Sequence, residues 1–104
     1  MIVRMWHGRT PASLADAYLA FLEQRAIPDY RRIPGNQGVW LLRRLEGDVA
    51  HFITLTHWSS YEAIRAFAGD DIERAKYYPE DREFLLEFEP CVVHYEVGAS
   101  ATDA

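Results

Sequence analysis

At 104 residues and a formal charge of −5, the chain has room for one domain, and its acidic balance argues against a face that binds nucleic-acid phosphates. About half of the residues are hydrophobic and a quarter charged, which excludes a disordered chain and predicts a globular one. Residues 1–6 lack the long apolar core of a secretion signal, and no run approaches the ~20 apolar residues of a membrane span, so a cytoplasmic protein without a membrane partner is expected. Cys91 is the sole cysteine; it has no partner for a disulfide or a paired-cysteine metal site, and its place beside an apolar strand predicts a buried structural thiol.

In chain order, residues 2–7 read as a strand with Ile2, Arg4 and Trp6 on one face and Val3, Met5 and His7 on the other. Thr10 and Pro11 open a helix whose apolar face is Leu14, Ala17, Tyr18, Phe21 and Leu22, and Pro28 is expected to end it. The Pro, Gly and Asn content of residues 28–38 predicts a long loop. Residues 39–45 and 49–58 flank Glu46-Gly47-Asp48 as a β-hairpin, with Phe52, Thr54, Thr56 and Trp58 on one face and Ile53, Leu55 and His57 on the other. Ser59 reads as a helix N-cap with Glu62 three residues on, and Tyr61, Ile64, Phe67 and Ala68 follow at helical spacing up to Gly69. A short helix from residue 70 or 71 to 76, another turn at 80–86 and a last strand at 91–97 complete the domain, leaving 98–104 as a flexible tail.

The order β-α-β-β-α-β with a helical insertion before the last strand predicts an α+β, ferredoxin-like sheet with helices on one face. Val39 and Leu41 oppose Trp40 and Leu42, and Ile53 and Leu55 oppose Phe52 and Trp58, so both faces of the sheet are apolar. Four strands at ~4.8 Å spacing and ~20 Å length leave roughly 400 Å² uncovered, an area that marks an association surface and predicts a homodimer packed sheet to sheet.

The octet Thr56-His57-Trp58-Ser59-Ser60-Tyr61-Glu62-Ala63, a strand ending in Trp before a capped helix, resembles the antibiotic biosynthesis monooxygenase-like (ABM) family of dimeric α+β barrels. The element order and the closing Glu89-Pro90 and Val92-Val93-His94-Tyr95-Glu96-Val97 extend the likeness over residues 1–97. The resemblance implies a cofactor-independent monooxygenase acting on a small, electron-rich organic molecule. In that chemistry the substrate reduces oxygen once a base has made its enolate or phenolate, so the protein supplies a dry pocket, an orienting donor and a proton acceptor.

Candidates exist for each part. Trp6, Tyr18, Trp58, Phe67, Tyr77 and Tyr78 are candidate substrate-binding residues, Arg4 a holder of an anionic oxygen and His94 a proton carrier. Each has a plainer reading: the aromatics as core, Arg4 paired with a carboxylate such as Glu96, His94 as a satisfied, partly buried ring. His51 and His57 lie six residues apart on one strand face, roughly 20 Å along an extended chain, and no metal site is expected. The carboxylates of Glu80-Asp81-Arg82-Glu83 and of Glu87 and Glu89 read as solvated charges. Haem-degrading members resemble one another in an Asn on the first strand, a Trp ending the third and a His on the helix beyond; of these only Trp58 is present. A non-catalytic small-molecule-binding dimer on the same fold is the alternative to the enzyme, with haem binding third.

Overall fold

The computed structural model describes residues 1–102; of the tail expected at 98–104, residues 103 and 104 lie outside the described part, and 98–102 carry no regular secondary structure. Four strands, β1 (Ile2–Pro11), β2 (Asn36–Glu46), β3 (Val49–Trp58) and β4 (Val93–Glu96), form one antiparallel sheet in the order β2-β3-β1-β4. This is the ferredoxin-like α+β arrangement, with helices on one face. Among the described residues, no helix is long and apolar enough to cross a membrane.

Alternation sets the two faces as expected. Ile2, Arg4, Trp6 and Thr10 of β1 and Ala50, Phe52, Thr54, Thr56 and Trp58 of β3 are buried beneath the helices. Their neighbours on the opposite face are partly exposed, and there Trp40, Leu42, Val93 and Tyr95 are 47, 43, 50 and 57% exposed. The hairpin between β2 and β3 turns on Gly47, whose φ of 58° is the positive value a tight two-residue turn requires.

The first helical run differs from expectation in its length and register. After a 3₁₀ turn at Ala12–Leu14 it continues as α1 (Ala15–Phe21), a π segment (Leu22–Ala26) and α2 (Ile27–Arg31), passing Pro28 instead of stopping there. The Ile27 N–H reaches five residues back to the Leu22 carbonyl. The widened turn starts a fresh register, so Pro28 falls within the first turn of α2, where its missing donor and ring are tolerated. The buried stripe is Ala15, Tyr18, Leu22, Ala26 and Tyr30, while Ala17 faces solvent. The long loop expected at 28–38 shrinks to the few residues between α2 and β2.

Helix α3 (Tyr61–Ala68) is capped by Ser60, whose hydroxyl accepts from the Ala63 N–H at 3.2 Å. Ser59 does not cap; its N–H is spent on the Gly35 carbonyl at 2.8 Å. Beyond Gly69 the predicted short helix is absent. Residues 70–92 form a strap that crosses the helix-bearing face and then runs along the free edge of β1, where the Leu86 N–H donates to the Arg9 carbonyl at 2.9 Å; it holds one 3₁₀ turn (Pro79–Glu83) and a lone β-bridge from Arg74 to Cys91. Cys91 is exposed, not buried, because this bridge lies outside the sheet and ends before Val92 turns inward.

Candidate functional site

A cavity of about 20 Å³, close to the size of one water, lies between the sheet and the helical layer. Trp6 and Thr54 form its floor from β1 and β3; Tyr18, Leu22, Ala26 and Tyr30 form one wall from the first helical run, and Lys76, Tyr78 and Asp81 the other from the strap. Helix α3 stands aside from it.

Trp6 reaches this position because the strand leaves room behind it. A Cβ at residue 8 would come within 2.4 Å of the Trp6 ring and 3.0 Å of Leu85, so the indole lies back over Gly8 under the strap. Its Nε1 is buried without a partner at full hydrogen-bond geometry; the neighbouring Tyr77 hydroxyl donates to the Glu89 carbonyl at 2.5 Å and keeps a lone pair toward the indole. A buried donor left unpaired costs about 1–3 kcal/mol, so it is a group a ligand acceptor or water would satisfy.

Asp81, expected in solvent, is 2% exposed and lines the same cavity. Its Oδ1 accepts from the Tyr18 hydroxyl at 2.9 Å and its Oδ2 from the Tyr78 N–H at 2.7 Å. Burial raises its pKa above the usual carboxylate range, more than these two bonds lower it. Burial also raises Tyr18, with the Asp81 charge second, so the phenol stays a donor. Tyr30 is held neutral by burial and shares a 3.3 Å contact with the Thr54 hydroxyl. The side chains around Asp81 therefore offer a proton acceptor, donors and aromatic walls within one small space.

Arg4 and His94 are brought together, but to one side of this cavity. Arg4 is 2% exposed; it donates to the Ile72 carbonyl, to the Arg74 carbonyl at 3.2 Å and to His94 Nε2 at 3.1 Å, and no ion pair to a carboxylate forms among the described residues. Burial lowers the guanidinium's pKa, partly countered by Tyr30. A guanidinium can only donate, so His94 Nε2 accepts and its proton sits on Nδ1. Burial and then the Arg4 charge lower the His94 pKa, which keeps that neutral tautomer. The pair ties the strap to β1.

Of the expected substrate-binding residues, Trp6, Tyr18 and Tyr78 line the cavity. Trp58 is fully buried, its Nε1 donating to Thr56 at 2.8 Å, and Phe67 stacks on Tyr30 at 4.5 Å between ring centres; both sit in the core behind the wall. Tyr77 packs edge-on to Trp6 at 6.1 Å and stays outside the lining. Tyr30, Thr54, Lys76 and Asp81 were not singled out from sequence. The signal for Asp81 was its place three residues after Tyr78 and two after Pro79, where an acidic side chain turns back to a free N–H at a helical start.

No protein-family model matches the chain, and a comparison with curated proteins finds no match. Solved structures do match. Haem-degrading MhuD of Mycobacterium tuberculosis, with two haems bound in its active site, is 22% identical with a TM-score of 0.67, covering 98% of this chain and 100% of its own. A candidate antibiotic biosynthesis monooxygenase of Bacillus cereus is 12% identical with a TM-score of 0.66, covering 98% of this chain and 97% of its own. A NIPSNAP-domain protein of Burkholderia xenovorans is 19% identical with a TM-score of 0.61, covering 99% and 100%. Over 98–99% of its length, the chain shares the ferredoxin-like α+β fold of these structures, an antibiotic biosynthesis monooxygenase-like protein among them.

Proposed function

We propose that the protein is a homodimeric, cofactor-independent monooxygenase that oxidises a small aromatic molecule in the cavity beneath the strap. The observation that carries this reading is Asp81, a carboxylate buried among aromatic rings with its pKa raised. A raised carboxylate is the stronger base, and in a dry site it takes a proton from an activated C–H or O–H of the substrate. The resulting enolate or phenolate passes its electrons to O₂; where a CH₂ lies between a carbonyl-activated ring and its neighbour, CH₂ + O₂ ends as C=O + H₂O. Tyr18 holds Asp81, the Trp6 N–H meets the developing oxyanion, and Arg4 with His94 holds the strap in register.

A cavity of about 20 Å³ admits such a substrate only when the strap lifts, so Lys76 and Tyr78 act as the movable wall. The exposed Trp40, Leu42, Val93 and Tyr95 support a dimer in which the open faces pack together. Haem, bound by the mycobacterial neighbour, is disfavoured by the chemistry of the lining: no imidazole is among the lining residues, and His94 Nε2 is engaged by Arg4.

Oxygen uptake with anthrone-like, quinol and flavonoid-like compounds, without added flavin or metal, tests the reading. Uptake that Asp81→Asn removes and Trp6→Phe reduces supports it. Compounds that raise the melting temperature yet give no uptake leave the binding protein as the function, and a Soret band on haem titration overturns the cavity assignment.

A further inference from the structure

On the opposite face of the sheet, away from the cavity, the antiparallel register of β1 and β3 sets His7 opposite Ile53 and His51 opposite Arg9, making the two histidines diagonal neighbours. His7 Nε2 and His51 Nδ1 stand 3.1 Å apart. The outer nitrogens face carboxylates: His7 Nδ1 lies 2.5 Å from Glu89 Oε2, and His51 Nε2 lies 2.9 Å from Glu46 Oε1. An ionised carboxylate only accepts, so each outer nitrogen carries a proton. A neutral imidazole has one N–H. With both rings neutral, the two inner nitrogens face one another as lone pairs, an arrangement that either a shared proton or a metal ion seated off the line between them satisfies.

We infer that His7 and His51 are the two protein ligands of a divalent transition-metal site, with Zn²⁺ as the fitting ion and Glu89 and Glu46 as the carboxylates that orient the rings. Two metal–nitrogen bonds of about 2.0–2.1 Å at a tetrahedral angle hold their nitrogens about 3.3 Å apart, a few tenths of an ångström from the distance present. A carboxylate on the far nitrogen of each ring is the support that metal-bound imidazoles characteristically have, fixing the tautomer and raising ligand basicity. Here the two supports come from separate elements, β2 for Glu46 and the strap for Glu89.

The site is open on one side. A hollow of about 240 Å³, lined by His7, Leu42, Arg43, Arg44, His51 and Ile53, adjoins the pair on the sheet face where two copies are proposed to pack, and has room within that seam for water or a small anion as the remaining ligands. The nearby cations are already matched: Arg44 pairs with Glu46, Arg43 with Asp16 and Arg9 with Glu87. Glu89 beside His7 offsets part of the charge of a divalent ion, and Glu46 divides its charge between His51 and Arg44. Among the described residues no group of three or more His, Cys, Asp or Glu has metal-holding geometry, so an ion on this pair would take its remaining ligands from water or a small anion.

Calorimetric titration of the tag-free chain with ZnCl₂ tests the inference, together with imidazole NMR signals recorded during the same titration. The expected result is saturable, micromolar binding of one ion per chain that shifts the His7 and His51 signals and leaves those of His57 and His94 in place. His7→Ala and His51→Ala each weaken binding at least about tenfold, Glu89→Gln and Glu46→Gln about tenfold, and His57→Ala leaves it unchanged. The signals of the unsubstituted chain decide the matter even if a variant fails to fold. Absence of saturable binding up to millimolar zinc overturns the site and leaves a shared proton between the rings. Undiminished binding in both histidine variants, or shifts centred on other imidazoles, overturns it equally.

Discussion

The two faces of the sheet divide polar and apolar groups in an unusual way, with polar side chains inside the core and large apolar ones in the open. The helix-covered face buries Arg4, Thr10, Thr54 and Thr56, whereas the open face exposes Trp40, Leu42, Val93 and Tyr95. Buried polar groups are tolerated when paired, and most here are: Thr56 donates to the Arg4 carbonyl and accepts from Trp58, Thr54 meets Tyr30, and Arg4 holds two strap carbonyls. The covered face is thus organised for holding a small polar-lined space, and the open face for being covered by something else. Stability rests on the covered side of the sheet, and the proposed association on the other.

The sharpest way to break that division is to strike each side in turn. Trp58→Ala empties a fully buried position and is expected to lower unfolding free energy by about 3–5 kcal/mol in urea titration, with any residual folded chain still associating. Leu42→Asp on the open face should do the reverse: sedimentation equilibrium is expected to show dimer dissociation strengthened about 100-fold, or about 2.7 kcal/mol. If Leu42→Asp leaves self-association untouched, the open face is not where copies meet. Ser60→Ala removes the α3 cap and should cost about 1 kcal/mol, whereas Ser59→Ala, whose backbone makes the important bond, should cost less.

The smallest effect is one of slope, and its sign follows from Asp81. Its pKa is raised in the folded chain, so the fold binds that proton more tightly than the unfolded chain does. The contribution is full below the ordinary carboxylate value of 3.8 and is lost as pH climbs through the raised one. The melting temperature of the wild type minus that of Asp81→Asn should therefore fall between acid and neutral pH. A difference that grows over this interval contradicts the buried-carboxylate assignment.

Much of the scaffold was legible because it is local. Two-residue alternation assigns Ile2, Arg4 and Trp6, or Phe52 to Trp58, to one side without knowledge of any partner, and the fold class follows from element order. The parts misread depend on distant contacts. Pro28 looks like a stop until the π turn resets the helical register, and two adjacent serines compete for one cap until Gly35 claims the backbone of Ser59. The strap at 70–92 carries little periodicity of its own; it is held by the Arg4 guanidinium and by bonds such as Ala75 N–H to the Pro90 carbonyl. Asp81 reads as one of four consecutive charged residues until Tyr18, 63 positions earlier, donates to it. The His7–His51 contact needed the register between strands, which no single strand's pattern contains.

The indole of Trp6 rests where it does because residue 8 has no side chain to push it away. Position 8 is thereby a gauge on the chamber above: alanine there would push the ring from its rest and shut the space, carrying the indole N–H with it. A single hydrogen-for-methyl exchange in the middle of a strand thus gives a handle for resizing the chamber in which every lining residue keeps its identity.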